Sequence, residues 1–506
     1  MSRAGIDHLE NGDERLWQFQ FVLGATLART GRYVAAEPVL NAALAACSDP
    51  DARARIKLNM AAGLAELDPS QRAAMKIFDD IATWSDQVSP SILIDAKMLK
   101  AVLLADGGHP ADALEILETT SFDDASPSIL IMRSLALAAA LVSVGRCTDA
   151  IAAADQGLHD HLTFGDVSLT YHPATHFLYR INGLIEDGQS ALAWADADWL
   201  FNFGVDNDRQ LTKAGASILK VRIALRQGRA ATAIAWGEQG MHHSRNMAST
   251  DHYRWAIAAC AAAHALAGDS GKASELLAQH DAIGRDGWFI GAPEIILARA
   301  WTARANGRHE EALQILETTA VDLRKRSCHQ LESVVVFEAQ RITATEQRSR
   351  RLGELATQLQ GKVIQAAAKA AAGLAKKDGK TLDEGSLAWA ECESWLNAAE
   401  AASKAADMHR KAGDGRRSTA SSNRAAEYIS RTERASSPDA LVLETHTPLT
   451  AREREIALRA AGGASSKAIA SDLYLSARTV DNHLQRIYAK LGIVGRDELA
   501  ASIGLG

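Results

Sequence analysis

Seven glycines, Gly31, Gly108, Gly145, Gly188, Gly228, Gly268 and Gly307, each close an apolar helical stretch, and each is followed five residues later by an alanine: Ala36, Ala113, Ala150, Ala193, Ala233, Ala273 and Ala312. Apart from the first gap, which leaves room for one degenerate copy near Asp68, the spacing is about 40 residues. Glycine takes the left-handed conformation that ends a helix, and a small alanine lets a second helix pack closely against the first. In GRHEEALQILETT the second helix carries Ala312, Leu313 and Leu316 on one face. A single hairpin cannot bury that face. Stacked neighbours can, so the period predicts a curved solenoid with an extended inner surface.

The architecture resembles tetratricopeptide-like repeats, with a longer period and a looser motif. After Val321 the glycine period fades, although Glu354 to Lys377 and Ser386 to Gly413 still read as long amphipathic helices, with a final helix over Arg416 to Thr432. The expected organisation is repeats over 1–320, further hairpins extending the solenoid over 321–433, and a linker over 434–447 that contains serine and proline and has no helical period. Residues 448–506 have a different character.

Composition limits the function classes. Hydrophobic residues at 47% and charged residues at 23% suit a globular chain. The most apolar stretch, Leu135 to Val144, is too short for a bilayer and follows Arg133, so no membrane span is expected. The charged N-terminus lacks a secretory pattern and points to the cytoplasm. Five dispersed cysteines without a CxxC pair predict neither zinc nor disulfides. The net charge of −7 argues against coating nucleic acid along the whole length, but 448–506 holds eight Lys or Arg against six Asp or Glu, a local excess that suits contact with DNA.

Four short helices are legible in that last segment. Thr450 and Glu453 form a capping box for a first helix ending at Gly462 or Gly463, Ser465 or Ser466 caps a second, and Ser476 caps a third, which closes at Lys490 and Gly492. A fourth holds Leu499 and Ile503. On the third helix Val480, Leu484, Ile487 and Leu491 form a buried stripe. Arg478, Asn482, Gln485, Arg486 and Ala489 lie opposite. Asn and Gln can pair with an adenine edge and Arg with guanine or phosphate, so Arg478, Asn482, Gln485 and Arg486 are the candidate base readers.

This segment resembles the DNA-binding domain of LuxR-type regulators. Leu449, Thr450, Arg452, Glu453, Glu455, Gly463, Lys467, Ile469, Ala470, Leu473, Ser476, Thr479, Val480, His483, Ile487, Lys490, Leu491 and Arg496 fall where that family's pattern places them. The resemblance implies a helix-turn-helix made by the second and third helices, with Lys467, Thr479 and Lys490 on the DNA backbone. Asp481 stands where many relatives are basic, which leaves the base preference open. The resulting fold class is all-α: a tetratricopeptide-like solenoid followed by a small four-helix LuxR-type domain. The chain also resembles the C-terminal part of large MalT-like regulators without their ATPase. No GxxxxGK[ST] loop is present, and GDSGKA from Gly268 to Ala273 is too short between glycines. No cofactor is expected.

Other candidates carry a structural alternative. Eight of 27 aromatic residues fall between Phe164 and Phe203. They form either a bulky core or a groove for a protein partner or small-molecule effector, with Tyr171, Tyr179, Trp194 and Trp199 as its lining. His172 and His176 have metal-ligand spacing, but Pro173 and the lack of a nearby carboxylate argue against a site. His159, Asp160 and His161 suggest a solvated turn, and the basic clusters Arg324 to Arg326 and Arg348 to Arg351 suggest solvated helix faces. His483, beside the buried stripe, is expected to make a structural hydrogen bond. No grouped nucleophile, base and orienting residue suggests an enzyme. The leading expectation is a transcription regulator that binds DNA as a homodimer and senses a partner or effector through its repeats. The alternative is a protein-binding scaffold whose helix-turn-helix is vestigial or dimerising.

Overall fold

The computed structural model describes residues 15–29, 32–67, 71–123, 125–164, 173–245, 251–284, 291–433, 451–491, 493 and 495–499. Among them are twenty-five α-helices and no strand, as the all-α reading requires. Through the array an inner helix alternates with an outer one, as in Pro127–Val144 and Cys147–Phe164, then Ala174–Glu186 and Ser190–Asp206.

The turn between them is set by the repeating glycine. Gly108, Gly145, Gly188, Gly228, Gly268 and Gly307 all have φ between 75° and 89°. In each case the following amide donates to the carbonyl five residues back, as from Arg146 to Leu141 at 2.9 Å and from Arg229 to Ala224 at 2.8 Å. That bond satisfies a carbonyl orphaned at the helix end. All seven alanines of the motif are 0% exposed. Gly31 and Asp68 lie outside the described residues.

Beyond residue 321 the turn recurs with its glycine at Gly413, φ 78°, where Asp414 donates to His409 at 2.9 Å, and elsewhere continues without one. Lys377 takes the left-handed conformation at φ 52°, Asp378 donates to Gly373 at 3.0 Å, and Leu382 occupies the buried position five residues on. Asp208, Ser327 and Glu393 make the same turn between successive hairpins. Residue 320 lies inside the helix His309–Lys325, and paired helices continue to Gly415–Ser430. The expected linker lies outside the described residues.

The curved solenoid winds far enough to meet itself. Later hairpins lie directly along the edge of earlier ones, so the array closes on itself. Arg326 Nε donates to Gly108 O at 3.0 Å, Gln360 N to Gly145 O at 2.8 Å, Ser190 Oγ to Cys392 O at 3.3 Å, and Ser394 Oγ to Arg226 O at 2.9 Å. Several turn glycines therefore have a second constraint. A Cβ on Gly145 would sit 2.5 Å from Leu359 Cδ2, one on Gly188 2.8 Å from Cys392 Sγ, and one on Gly228 2.9 Å from Leu396 Cβ, whereas one on Gly307, away from the seam, would meet nothing within 4 Å. Closure converts the expected extended inner surface into an internal lumen.

Buried charges in the array are paired, as their desolvation demands. Arg222 forms a two-pronged pair with Glu294 at 2.5 and 2.6 Å, and Arg341 bridges Glu338 and Glu400 at 2.8 and 2.7 Å. Of the basic clusters expected to be solvated, Lys325 and Arg350 are exposed, while other members are tethered. Arg324 and Arg351 both hold the fully buried Glu332 at 2.8 Å, and Arg348 pairs with Glu317. Likewise His161 is no turn residue. It is buried near the end of Cys147–Phe164, edge-on to His176 with ring centroids 5.7 Å apart. Burial pushes His176 down to about 3. One described helix, Pro127–Val144, is long and apolar enough to cross a membrane; here it packs in the core, with Arg133 over the Phe122 ring at 4.7 Å.

Candidate nucleic-acid interface

The helices Ala451–Ala461, Ser466–Asp472 and Ala477–Leu491, followed by a 3-10 turn at Arg496–Glu498, enclose a small core of their own. Ile456, Ala457, Ile469, Val480, Ile487 and Leu499 are completely buried in it. Gly463, at φ 85°, ends the first helix. Ser465 Oγ accepts the amide of Ala468 at 3.2 Å, and Ser476 Oγ accepts that of Thr479 at 3.0 Å, so both expected caps are formed. Between the second and third helices, Tyr474 adopts φ 56° and stands 97% exposed. Thr450, Gly492 and Ile503 lie outside the described residues.

Three arginines stitch this module together. Arg452 donates to the carbonyl of Leu473 at 2.7 Å and pairs with Glu455 at 2.8 Å; Arg459 pairs with Asp472 at 2.8 Å. Arg496 donates to the carbonyls of Ala460 and Ala464 at the end of the first helix. These roles were not legible in the sequence, because their acceptors are mostly backbone groups some 20 to 40 positions away. Their consequence is electrostatic. With these cations used internally, the unpartnered ones among the described side chains are Lys467, Arg478 and Arg486.

Arg478, Asn482, Gln485 and Arg486 are all exposed on the third helix, opposite Val480, Leu484 and Ile487, and form no hydrogen bond or ion pair with described residues. The helix has 15 residues and is therefore about 22 Å long, a rod that a major groove admits. Its free face presents two amides, each able to donate and accept at once, between two guanidinium groups. Lys467 is exposed near the start of the second helix. The Thr479 hydroxyl lies 2.7 Å from Ser476 Oγ. The side chain of Lys490 is not among those described. His483 is half-buried, and its Nδ1 has no hydrogen-bond partner among the described residues.

The three described aromatic candidates on the repeats, Tyr179, Trp194 and Trp199, do not converge on one groove. Tyr171 lies outside the described residues. Tyr179 is buried on the lumen side and donates to Asp106 at 2.8 Å. Trp194 and Trp199 share the helix Ser190–Asp206 but are five residues apart, about 140° around its axis, so they face different surroundings. Trp194, Phe201 and Trp236 surround the ammonium of Lys220 at 5.2, 5.4 and 3.8 Å, with Asp198 at 2.5 Å. Trp199, 52% exposed, stacks between Phe177 and Phe203.

Comparison with known proteins supports the reading of the terminal module. The family described as bacterial regulatory proteins, luxR family, matches residues 447–503. The probable transcriptional regulatory protein NarL of Mycobacterium tuberculosis is 52% identical over 48 residues, 10% of this chain and 22% of its own length. The monoamine regulon transcriptional regulator of Klebsiella aerogenes is 49% identical over 53 residues, 10% of this chain and 23% of its length. This chain thus spans under a quarter of either relative. The spore germination protein GerE of Bacillus subtilis is 38% identical over 55 residues, 11% of this chain but 74% of GerE. Among solved structures, a Rap protein complexed with competence and sporulation factor aligns with a TM-score of 0.47 at 12% identity, covering 69% of this chain and all of that one. With the helix-turn-helix geometry in place and three quarters of GerE matched, the chain belongs to the luxR family of bacterial regulatory proteins.

Proposed function

We propose that this protein is a sequence-specific, DNA-binding transcription regulator acting in the cytoplasm. The observation that carries the proposal is the unpartnered row Arg478, Asn482, Gln485 and Arg486 on the outer face of a helix whose inner face is locked into its own core. In this reading the third helix enters the major groove with those four residues on base edges, while Lys467, Thr479 and Lys490 hold phosphates. One such helix reads only a few base pairs, so two chains bind as a homodimer on paired half-sites. The repeat array senses an effector or protein partner and transmits its state through residues 434–447.

Selection of genomic fragments by the purified full chain, followed by footprinting, tests this. A recurrent sequence protected over two half-sites, with two chains bound, is the expected result. Fragments without any shared sequence would refute base reading, and protection of one half-site by one chain would refute the dimer.

A further inference from the structure

The inner helices of successive hairpins line a cavity of about 150 Å³. Its wall is mostly aliphatic, with Leu225, Leu266, Leu297, Leu331 and Val334 among the contributors, and the volume is about that which accepts a benzene ring. Among the lining guanidiniums, that of Arg222 is engaged by Glu294 and the Asn182 amide oxygen, and that of Arg341 by Glu338 and Glu400. Arg226 is different. Its Nη2 donates to Glu186 at 2.7 Å, while Nε and Nη1 have no acceptor among the described residues. Across the seam, Asn397 donates through Nδ2 to Ser394 Oγ at 3.2 Å and leaves its Oδ1 without a donor. Ser394 Oγ in turn donates to the Arg226 carbonyl at 2.9 Å, so Arg226 from one winding and Asn397 from the next are linked through Ser394, and both residues line the same mostly apolar chamber.

We infer that this cavity is a binding site for a small uncharged carboxamide with an apolar body: its carbonyl accepts from Arg226, its N–H donates to Asn397 Oδ1, and its body fills the aliphatic wall. Charge decides between a neutral and an ionic occupant. Arg226 is already matched by Glu186, and Glu294 and Glu338 also line the chamber, so an added anion meets carboxylates. An added ammonium has no unspent carboxylate partner at Arg226 and would face that guanidinium. Because the two polar contacts come from opposite sides of the seam, the ligand binds only the closed winding. This names the ligand class for the sensing role proposed above, and it rests on that reading only for its link to DNA.

Calorimetric titration of the full chain without DNA, using phenylacetamide, phenylacetate and phenethylamine, compares three charge states on one apolar body. Phenylacetamide should bind one per chain, and the two ions should bind weaker by about tenfold or more, because burying an unmatched charge is unfavourable. Val334→Phe, which fills the chamber, and Asn397→Leu, which removes the polar contact at similar volume, should each abolish amide binding while retaining wild-type helicity. If either variant unfolds, the other carries the comparison. Absence of amide binding, equal binding of the three probes, or undiminished binding by a folded variant would overturn the site. No DNA takes part, so failure here is distinct from failure of the DNA-binding reading.

Discussion

The carboxylate of Glu433 accepts the backbone amide of Thr232 at 2.7 Å and pairs with Arg229 at 3.0 Å, tying the last described residue before 434–450 to the start of the helix Ala230–Ser244. Burial pushes this carboxyl up, but the hydrogen bonds from Thr232 and Arg229 outweigh it and hold Glu433 below the ordinary glutamate range. A group depressed in the folded state stabilises above its unfolded value, about 4.3, and that contribution disappears as pH falls through the lower folded value. Both side chains are about one third exposed, so the tie contributes about 1 kcal/mol or less. Glu433→Ala should accelerate hydrogen exchange at the Thr232 amide by about fivefold at neutral pH, with the difference vanishing at low pH. An unchanged exchange rate would show that the tie does not form in solution.

Closure of the array predicts a contrast between two glycines of the same backbone conformation. Gly307→Ala pays only for a left-handed alanine, roughly 1–2 kcal/mol. Gly145→Ala must also displace Leu359, which raises its cost to roughly 2–5 kcal/mol. Urea denaturation of both variants measures the difference. Equal destabilisation would contradict the seam.

How much of this was legible follows from the range of each interaction. The turn at Gly145 and the buried Ala150 are local, and the six-residue glycine-to-alanine unit shows both. The caps Ser465 and Ser476 are local as well, as is the stripe Val480, Leu484 and Ile487. The seam is not local: Ser394 and Arg226 meet only because small rotations accumulate over several hairpins, and no single repeat contains that sum. Lys377 hid a turn because a lysine in the left-handed region has no sequence signature. The cage around Lys220 hid for a related reason, since Trp236, the ring closest to the ammonium, lies in the following outer helix.

That cage separates the two tryptophans first considered together. Trp194→Ala removes a ring from around a buried ammonium and should cost roughly 2–4 kcal/mol. Trp199→Ala trims an exposed stack and should cost about 1 kcal/mol. Thermal unfolding of the two variants checks the order, and a reversed order would misplace the cage.

Stability and recognition should also separate within the terminal module. Arg496→Ala deprives two carbonyls of their donor and should destabilise that module by roughly 1–3 kcal/mol. Arg486→Ala, on the exposed face, should change its stability by about 0.5 kcal/mol or less. Hydrogen exchange across Ala477–Leu491 distinguishes them: protection should fall in the first variant and persist in the second.

The central claim is that the outer face of the third helix reads base sequence, and the ratio of affinities for the selected site and for random DNA tests it most directly. Asn482→Ala and Gln485→Ala should each reduce that ratio by roughly 1–3 kcal/mol while leaving affinity for random DNA nearly unchanged. Lys467→Ala should instead weaken binding to both DNAs alike and flatten the salt dependence by about one counterion. A ratio unaffected by Asn482→Ala and Gln485→Ala would contradict the account.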